Sequence, residues 1–236
     1  QMRNLQLKKP DVAIIEAIAI TEDGGIIPTT SVGNSASFAI FAEKVIVEIN
    51  TNLSPAFEGL HDIYIPSYRP TRQAIPLTQV DERIGTHAIN IDPAKIVGIV
   101  INNEYHDSPS TVTEPDDETQ GIANHLINFF EQEVAAGRLP KDLGPLQAGI
   151  GSIANAVLTG LKDSNFEDLV MYSEVLQDCT FELIDAGKMK FASGSSITLS
   201  AKYGEKVFNN LDAYKDKLVL RPQEISNHPE LVRRLG

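Results

Sequence analysis

Apolar runs of strand length alternate along this sequence with segments of helical periodicity, and this alternation limits the folds open to the chain. The runs Asp11–Ile20, Lys44–Ile49 and Lys95–Ile101 are almost continuously hydrophobic. Such runs are typical of strands that are buried on both faces in parallel sheets. A helical pattern with Phe38 and Phe41 on one face lies between the first two runs. The sequence therefore predicts an α/β fold with open, mostly parallel sheets flanked by helices.

The second half of the chain continues the alternation of strand, turn and helix. A predicted strand at Leu146–Ala148 is followed by a helix over Ser152–Leu161. A second strand at Leu169–Tyr172 is followed by a helix over Val175–Ala186, with Gly187 at its end. These are two consecutive βα units.

A polar and acidic stretch with two prolines, Tyr105–Gln120, separates the two halves. Its composition is typical of a domain boundary. We therefore predict three segments, which are the end of a first α/β domain (residues 1–106), a linker (107–120) and the start of a second α/β domain (121–236). The helix after the linker is expected to have Asp117 or Thr119 as its cap.

Charge and cysteine content argue against several classes of protein. A net charge of -12 over 236 residues argues against nucleic-acid binding, which needs clustered Lys and Arg. No apolar run reaches the roughly 18–20 residues of a membrane helix, so no membrane partner is predicted. The single cysteine, Cys179, excludes an intrachain disulfide and fits a reducing compartment, so we expect a cytoplasmic protein. Because the chain does not begin with Met, we interpret it as a fragment or a processed form.

Two turns at the ends of predicted strands form a candidate site. Gly149–Ser152 follows one strand, and Ser173-Glu174 follows the next. Ligands bind at the carboxyl ends of parallel strands, and adjacent strands lie about 5 Å apart, so both turns are expected to face one pocket. The glycines allow backbone N–H groups to approach a phosphate or an oxyanion, and Ser152 can cap the following helix. A tight turn with only a structural role is the alternative.

Glu174 has two interpretations at this stage. As the first residue of a helix, its carboxylate would gain about 0.3–1 kcal/mol from the helix dipole. As a nucleophile, it would attack an activated carbonyl and divide one acyl transfer into easier steps. Cys179 on the same helix is expected to be a buried structural residue. The five histidines form no HxH or HxxxH pair, so no metal site is predicted.

A long proline-rich segment, residues 51–92, connects the second and third apolar runs. It contains charged and imidazole side chains at His61, Asp62, Arg69, Arg72, Arg83 and His87. Loops of this length are uncommon in compact domains and usually have a function. We expect this loop to cover the site or to contact another subunit, and a polar contribution to the site is the second possibility.

Several longer motifs resemble one known family. They occur in collinear order over essentially the whole chain, as ITEDGGIIPTTSVGNS (Ile20–Ser35), VDERIGT (Val80–Thr86), AGIGSIANAVLTGL (Ala148–Leu161), YSEVLQD (Tyr172–Asp178) and LIDAGKM (Leu183–Met189). With these motifs the sequence resembles the acetyl-CoA hydrolase/transferase family of class I CoA-transferases, and within it the succinyl-CoA:acetate CoA-transferase type. The resemblance implies parts of two related open α/β domains.

The resemblance also implies a reaction and a set of residues. Glu174 matches the catalytic glutamate of the family, which would form a mixed anhydride with the acyl group and then a glutamyl-CoA thioester. The residues that would contact CoA beside this thioester are Gly149, Ile150, Gly151, Ser152 and Ile153. CoA is a substrate in this chemistry, and neither a metal nor a redox cofactor is needed.

The implied activity moves CoA between an acyl-CoA, such as succinyl-CoA or acetyl-CoA, and a small carboxylate such as acetate. An acetyl-CoA hydrolase using the same site is one alternative, and a non-catalytic CoA-binding or interface module is another. CoA is a polyanion, yet Lys162 is the only basic residue of the central stretch. Either backbone contacts dominate binding, or cations come from missing parts or a partner subunit. A homodimer is the expected assembly, and little activity is expected from the isolated segment.

Overall fold

The computed structural model describes residue 2 and the ranges 6–68, 70–103 and 116–235. Arg69 and most of the predicted linker lie outside these described residues. The strands are β1 (Val12–Ile20), β2 (Ile26–Pro28), β3 (Lys44–Asn50), β4 (Ile96–Asn102), β5 (Pro145–Leu146), β6 (Leu169–Tyr172), β7 (Val175–Leu176), β8 (Met189–Gly194), β9 (Ser196–Ile197) and β10 (Leu218–Leu220). The helices are α1 (Ser35–Phe41), α2 (Asp117–Ala135), α3 (Ser152–Asp163), α4 (Asp178–Asp185), α5 (Ala201–Phe208), α6 (Gln223–Ser226) and α7 (Pro229–Leu235).

The strands form two sheets and a short ribbon. The first sheet has the order β2-β1-β3-β4, in which β1, β3 and β4 are parallel and β2 is antiparallel to β1. The second sheet has the order β10-β8-β6-β5, and its neighbouring strands are all parallel. Strands β7 and β9 form the parallel ribbon. The predicted α/β architecture with mostly parallel sheets is therefore confirmed.

The first sheet is not buried on both faces, which corrects the prediction from its apolar runs. Alternate residues of β1 are buried, whereas Val12 and Ile14 are 46% and 68% exposed. In β4, the side chains of Val97, Ile99 and Ile101 are each more than half exposed. Helix α1 packs against β1, and these exposed side chains have no comparable cover within the described ranges. An apolar run shows that a strand can be buried, but not which elements cover it.

The segment after Glu174 also differs from the prediction of a single helix over Val175–Ala186. Its first two residues form β7, and α4 begins only at Asp178. The apolar side chains fit either conformation. Pairing of Val175 and Leu176 with β9 satisfies their backbone groups and leaves the Leu176 side chain fully buried, which favours the strand.

Helix α2 begins within the predicted linker. The carboxylate of Asp116 accepts a hydrogen bond from the backbone N–H of Thr119 at 2.9 Å and caps the helix. Asp117 and Thr119, the residues predicted as caps, lie inside the first turn instead. Asp116 is the residue whose carboxylate reaches an unpaired N–H group at this end.

None of the described helices combines the length and the hydrophobicity that a membrane span requires.

Both halves of the chain contribute to one hydrophobic cluster. Its fully buried members include Val45, Phe57, Phe181 and Leu218. Backbone hydrogen bonds join the halves as well, because Val32 N donates to Ser195 O at 2.9 Å and Asp62 N donates to Leu220 O at 2.9 Å. The division into two domains around residues 107–120 stays a prediction.

The proline-rich loop packs against the second half of the chain. Its residues Ile75, Leu77 and Val80 are buried in a smaller cluster with Tyr172 and Ile225. The loop therefore covers the end of β6 and the start of the C-terminal helices. Burial of these three side chains fixes the conformation of a segment that has little regular secondary structure.

Candidate active site

The two turns that were predicted to face one pocket lie side by side. Strand β5 leads to Gly149–Ile153, the glycine turn, and β6 leads to Ser173. The two strands pair in parallel. The Ser173 hydroxyl donates to the carbonyl oxygen of Ala148 at 3.0 Å. Gln177 Nε2 donates to the carbonyl oxygen of Gly149 at 3.4 Å. These contacts fix the glycine turn against the segment that carries Glu174.

A pocket of about 500 Å³ opens between the two turns. It is lined by Gln147, Ala148, Gly149, Ile150, Glu174 and Val175. Small-molecule sites have volumes of roughly 300–1,000 Å³, so this space can hold part of a ligand of ordinary size. The pocket brings together three of the residues predicted for the site, namely Gly149, Ile150 and Glu174.

The remaining residues of the glycine turn lie at the start of α3. Gly151 is the N-cap and makes no side-chain hydrogen bond, and Ser152 is the first helical residue. The prediction that Ser152 caps the helix is therefore wrong, because the helix includes it. The side chains of Ile150 and Ile153 are 75% and 48% exposed. The first N–H groups of a helix lack intrahelical partners, so this end of α3 suits an anionic group.

Main-chain hydrogen bonds hold Glu174 in the bend between β6 and β7. Its carbonyl oxygen accepts from Ser195 N at 2.7 Å and from Ser196 N at 3.2 Å. Because α4 begins at Asp178, Glu174 is not in the first turn of a helix, and the helix-dipole interpretation is wrong. The side chain is half-buried, and its Oε1 accepts a hydrogen bond from Gln223 Nε2 at 2.5 Å.

Gln223 and Asn34 are site residues that the sequence did not indicate. Gln223 is the first residue of α6, and its Oε1 accepts from Asn34 Nδ2 at 3.0 Å. The backbone N–H of Gln223 donates to the carbonyl oxygen of Gly33 at 2.9 Å. Asn34 and Gln223 are 189 positions apart, so no local spacing links them. Only the folded chain brings them to Glu174.

A buried ion pair anchors the segment that carries Gln223. Arg221 Nε lies 3.0 Å from Asp62 Oδ2, and both side chains are fully buried. Arg221 Nη1 also donates to the hydroxyl oxygen of Ser193 at 2.6 Å, at the end of β8. The loop containing Asp62 therefore contacts the segment that carries Gln223 through Arg221. It contributes no residue to the pocket lining.

Solved structures of other proteins have a similar fold. One is 4-hydroxybutyrate CoA-transferase from Porphyromonas gingivalis, with a TM-score of 0.64 and 21% sequence identity, covering 98% of this chain and 49% of that chain. RipA from Yersinia pestis has a TM-score of 0.64 and 17% identity, covering 96% of this chain and 44% of that chain. At such identities, the likeness concerns the fold alone.

Sequence comparison gives a closer relationship. Residues 4–101 match the acetyl-CoA hydrolase/transferase N-terminal domain. An acetyl-CoA hydrolase from Schizosaccharomyces pombe is 50% identical over 234 residues, which cover 99% of this chain and 44% of the relative. Over nearly its whole length, the chain is similar to members of the acetyl-CoA hydrolase/transferase family. Another relative, the succinyl-CoA:acetate CoA-transferase of Clostridium kluyveri, is 46% identical over 230 residues, covering 98% of this chain and 43% of its own length.

These relationships confirm the resemblance drawn from the motifs. The chain spans less than half the length of the curated relatives of the acetyl-CoA hydrolase/transferase family that it matches. Two relatives with different names, a hydrolase at 50% identity and a transferase at 46% identity, are almost equally similar to it.

Two other residues considered in the sequence lie outside the pocket lining. Cys179 is buried with its Sγ 3.7 Å from Asn155 Oδ1, and burial raises its pKa to about 12. It therefore carries no thiolate near neutral pH, in agreement with the structural role expected for it. Lys162 lies in the last turn of α3, with Nζ 3.6 Å from Glu182 Oε2, so its charge faces α4. The described residues contain no group of three metal-ligating side chains.

Proposed function

We propose that this protein moves CoA between an acyl-CoA and a small carboxylate through a glutamyl-CoA thioester on Glu174. The observation that carries the proposal is the pocket in which Glu174 lies beside Gly149 and Ile150. A carboxylate can act as a covalent nucleophile toward an activated carbonyl. The relatives named succinyl-CoA:acetate CoA-transferase and acetyl-CoA hydrolase support acyl-CoA as the substrate class.

The proposed reaction begins with the carboxylate of Glu174. One of its oxygens attacks the thioester carbonyl of the acyl-CoA, the C–S bond breaks, and CoA leaves as a thiolate. The product is a mixed anhydride between Glu174 and the acyl group. The thiolate then attacks the glutamyl carbon, which releases the acyl group as a carboxylate and leaves a glutamyl-CoA thioester. An incoming carboxylate reverses these steps and leaves as the new acyl-CoA.

The glycine turn has the proposed role of holding CoA and stabilising negative charge. Each attack creates a tetrahedral oxyanion, and backbone N–H groups aimed at such an oxygen stabilise it strongly. The turn Gly149–Ile153 supplies these groups beside the start of α3. A Cβ atom added at Gly149 or Gly151 would meet no described atom within 4 Å. The space beside these glycines is therefore open for close approach of a ligand.

An acetyl-CoA hydrolase is the second candidate, because the relative from Schizosaccharomyces pombe has that name. Water would replace the incoming carboxylate and hydrolyse the same intermediate. The two activities are separated by measuring CoA turnover with and without acetate or succinate. A strict requirement for a carboxylate supports the transferase, whereas turnover that is unchanged by carboxylates supports the hydrolase. A non-catalytic CoA-binding or interface module would show neither.

The assembly and the source of the cations for CoA belong to the same proposal. Lys162 is occupied with Glu182, so the basic contacts to CoA are assigned to other parts of the protein or to a partner subunit. We expect a homodimer in the cytoplasm. Analytical ultracentrifugation with and without acyl-CoA tests the homodimer.

Covalent trapping tests the proposed mechanism directly. The full-length protein is incubated with acyl-CoA and treated with borohydride or hydroxylamine, and the modified peptide is identified by mass spectrometry. We expect the modification at Glu174 and its absence in Glu174→Gln, which keeps the size of the side chain and removes the nucleophile. Glu205→Gln, a change at an exposed site on α5, serves as the matched control. A label on another residue, or normal transfer by Glu174→Gln, would refute the mechanism.

A further inference from the structure

We propose that Gln223 is a further catalytic residue, which holds one oxygen of the Glu174 carboxylate and stabilises the charge that develops on it, and that Asn34 is its positioning residue. The inference rests on the proposed role of Glu174 as the nucleophile. It goes beyond that role because it assigns an electrostatic partner to the nucleophile itself. The three side chains form one hydrogen-bonded chain, from Asn34 to Gln223 to Glu174.

The direction of this chain is fixed by what each group can donate. An ionised carboxylate only accepts hydrogen bonds, whereas an amide has a donor end and an acceptor end. Gln223 Nε2 lies 2.5 Å from Glu174 Oε1, so the acceptor end of Gln223 faces away from Glu174. There it meets Asn34 Nδ2 at 3.0 Å. Reversing either amide would place two oxygens against each other, so Asn34 selects the orientation that Glu174 needs.

Asn34 makes this contact instead of stabilising its own helix. It occupies the N-cap position of α1, where Asn usually accepts a hydrogen bond from a backbone N–H of the first turn. No such side-chain bond is formed. The side chain is directed to Gln223, whose backbone N–H donates to the carbonyl oxygen of the neighbouring Gly33 at 2.9 Å. A second contact between the same elements joins Ser37 Oγ to Glu224 Oε2 at 3.2 Å.

The position of Gln223 suits both chemical states of Glu174. While Oε1 accepts from Gln223, Oε2 is the oxygen left to attack the acyl carbonyl. In the glutamyl-CoA thioester, the oxygen that remains on the glutamyl carbon is the carbonyl oxygen, and the same Nε2–H group can donate to it. When a thiolate or carboxylate adds to that carbon, this oxygen becomes an oxyanion, and the hydrogen bond from a positioned donor strengthens. A neutral amide achieves this without pairing the free carboxylate with a cation.

The first test removes the donor. Gln223→Met keeps a side chain of similar length without an N–H group. We expect kcat for CoA transfer to fall by about 10- to 100-fold, the range for a hydrogen bond to a charged group, with little change in KM for the acyl-CoA. The rate at which the glutamyl-CoA thioester forms on Glu174, followed by trapping and mass spectrometry, should fall by a similar factor. A normal kcat in a folded Gln223→Met variant would overturn the assignment.

The second test separates positioning from folding. Asn34→Asp keeps a residue type that is equally favoured at the N-cap position, but it removes the donor to Gln223. We expect an unchanged or higher Tm together with a lower kcat. Asn124→Asp on the exposed face of α2 introduces the same charge and should leave both quantities unchanged. In the double variant Asn34→Asp/Gln223→Met, kcat should be no lower than in Gln223→Met alone, because Asn34 acts through Gln223.

The outcomes distinguish this inference from the proposed function. If trapping places no label on Glu174 in the unmodified protein, the proposed function fails, and this inference fails with it. If Glu174 is labelled and Gln223→Met forms the thioester at the normal rate, only this inference is overturned. Additive losses of kcat in the double variant, or a parallel fall of Tm and kcat in Asn34→Asp, would overturn the positioning role of Asn34.

Discussion

Asp62 and Arg221 form a fully buried salt bridge between positions 159 residues apart in the chain, with Arg221 Nε 3.0 Å from Asp62 Oδ2. Every part of the pair is hydrogen-bonded. Asp62 Oδ1 accepts from the backbone N–H groups of Ile84 and Gly85 at 3.0 and 2.6 Å. Gly85 has no room for a side chain, because a Cβ atom there would lie 2.3 Å from the backbone of Ile63. The pair therefore joins the proline-rich loop to the segment that carries Gln223.

We expect Asp62→Asn to destabilise the fold by about 3–5 kcal/mol, because it leaves the Arg221 charge buried without a partner. The amide keeps an oxygen for the two backbone N–H groups, so the substitution tests the charge. Urea unfolding followed by circular dichroism gives the free energy of unfolding. The control is Asp11→Asn, which breaks the exposed pair with Lys8 and should have little effect. Equal effects of the two substitutions would contradict the importance of the buried pair.

The buried imidazole of His61 should make the folded chain less stable in mild acid. Loss of hydration on burial lowers its pKa from 6.5 to about 4, although the hydrogen bond from Nε2 to the carbonyl oxygen of Thr29 at 2.9 Å acts in the opposite direction. Nδ1 has no hydrogen-bond partner among the described residues. As the pH falls below 6.5, the unfolded chain binds a proton at this site before the folded chain does. The free energy of unfolding should therefore decrease between pH 6.5 and 4, by up to about 3 kcal/mol.

Substitution of His61 identifies its share of this pH dependence. His61→Gln keeps an N–H group near Thr29 and cannot titrate, so the difference in unfolding free energy between pH 7 and pH 4 should shrink. His125→Gln, at an exposed site on α2, is the control and should leave the difference unchanged. If the two variants and the unmodified protein gave the same pH dependence, the assignment to His61 would be wrong.

Cys179 should be unreactive in the folded protein. Burial raises its pKa to about 12, so at pH 8 almost no thiolate is present to attack a disulfide reagent. We expect no reaction with a chromogenic disulfide reagent in buffer and one thiol per chain in guanidinium chloride. Cys179→Ala should retain its activity with a modest loss of stability. Fast labelling of the native thiol would contradict the burial of this side chain.

Gly149→Ala is expected to affect ligand binding without affecting folding. The added methyl group would meet no described atom within 4 Å, so Tm should change little. It would nevertheless narrow the space beside the backbone N–H groups of the turn, and we expect a higher KM for acyl-CoA. Gly121→Ala on α2, where a Cβ atom also meets no described atom within 4 Å, is the matched control. A KM that is unchanged in Gly149→Ala would argue against CoA binding at this turn.

The sequence was a good guide to the strands and to the meeting of the two turns. Apolar runs located both ends of β1, β3, β4 and β6 to within one residue, because a continuous apolar run of strand length is a strong compositional signal. The shared pocket of Gly149 and Glu174 followed from the order of successive βα units. The motifs also indicated the family correctly, because they are long and keep one order along the chain.

Other features depended on contacts that no local pattern encodes. The segment after Glu174 has apolar residues compatible with a helix or a strand, and its pairing with β9 decided the outcome. Exposure of Ile14 depends on which elements lie over the first sheet. Gln223 and Asn34 are ordinary polar residues in the sequence, and their proximity to Glu174 arises only when distant parts of the chain meet.

The distance along the chain between Asn34 and Gln223 has a consequence during synthesis. A ribosome adds about 5–20 residues per second, so the 189 positions between them correspond to roughly 10 to 40 s of translation. Throughout that time, Glu174 is either not yet made or lacks the amide that contacts it in the folded chain. The nascent protein therefore cannot assemble the complete hydrogen-bonded chain until Gln223 has left the ribosome.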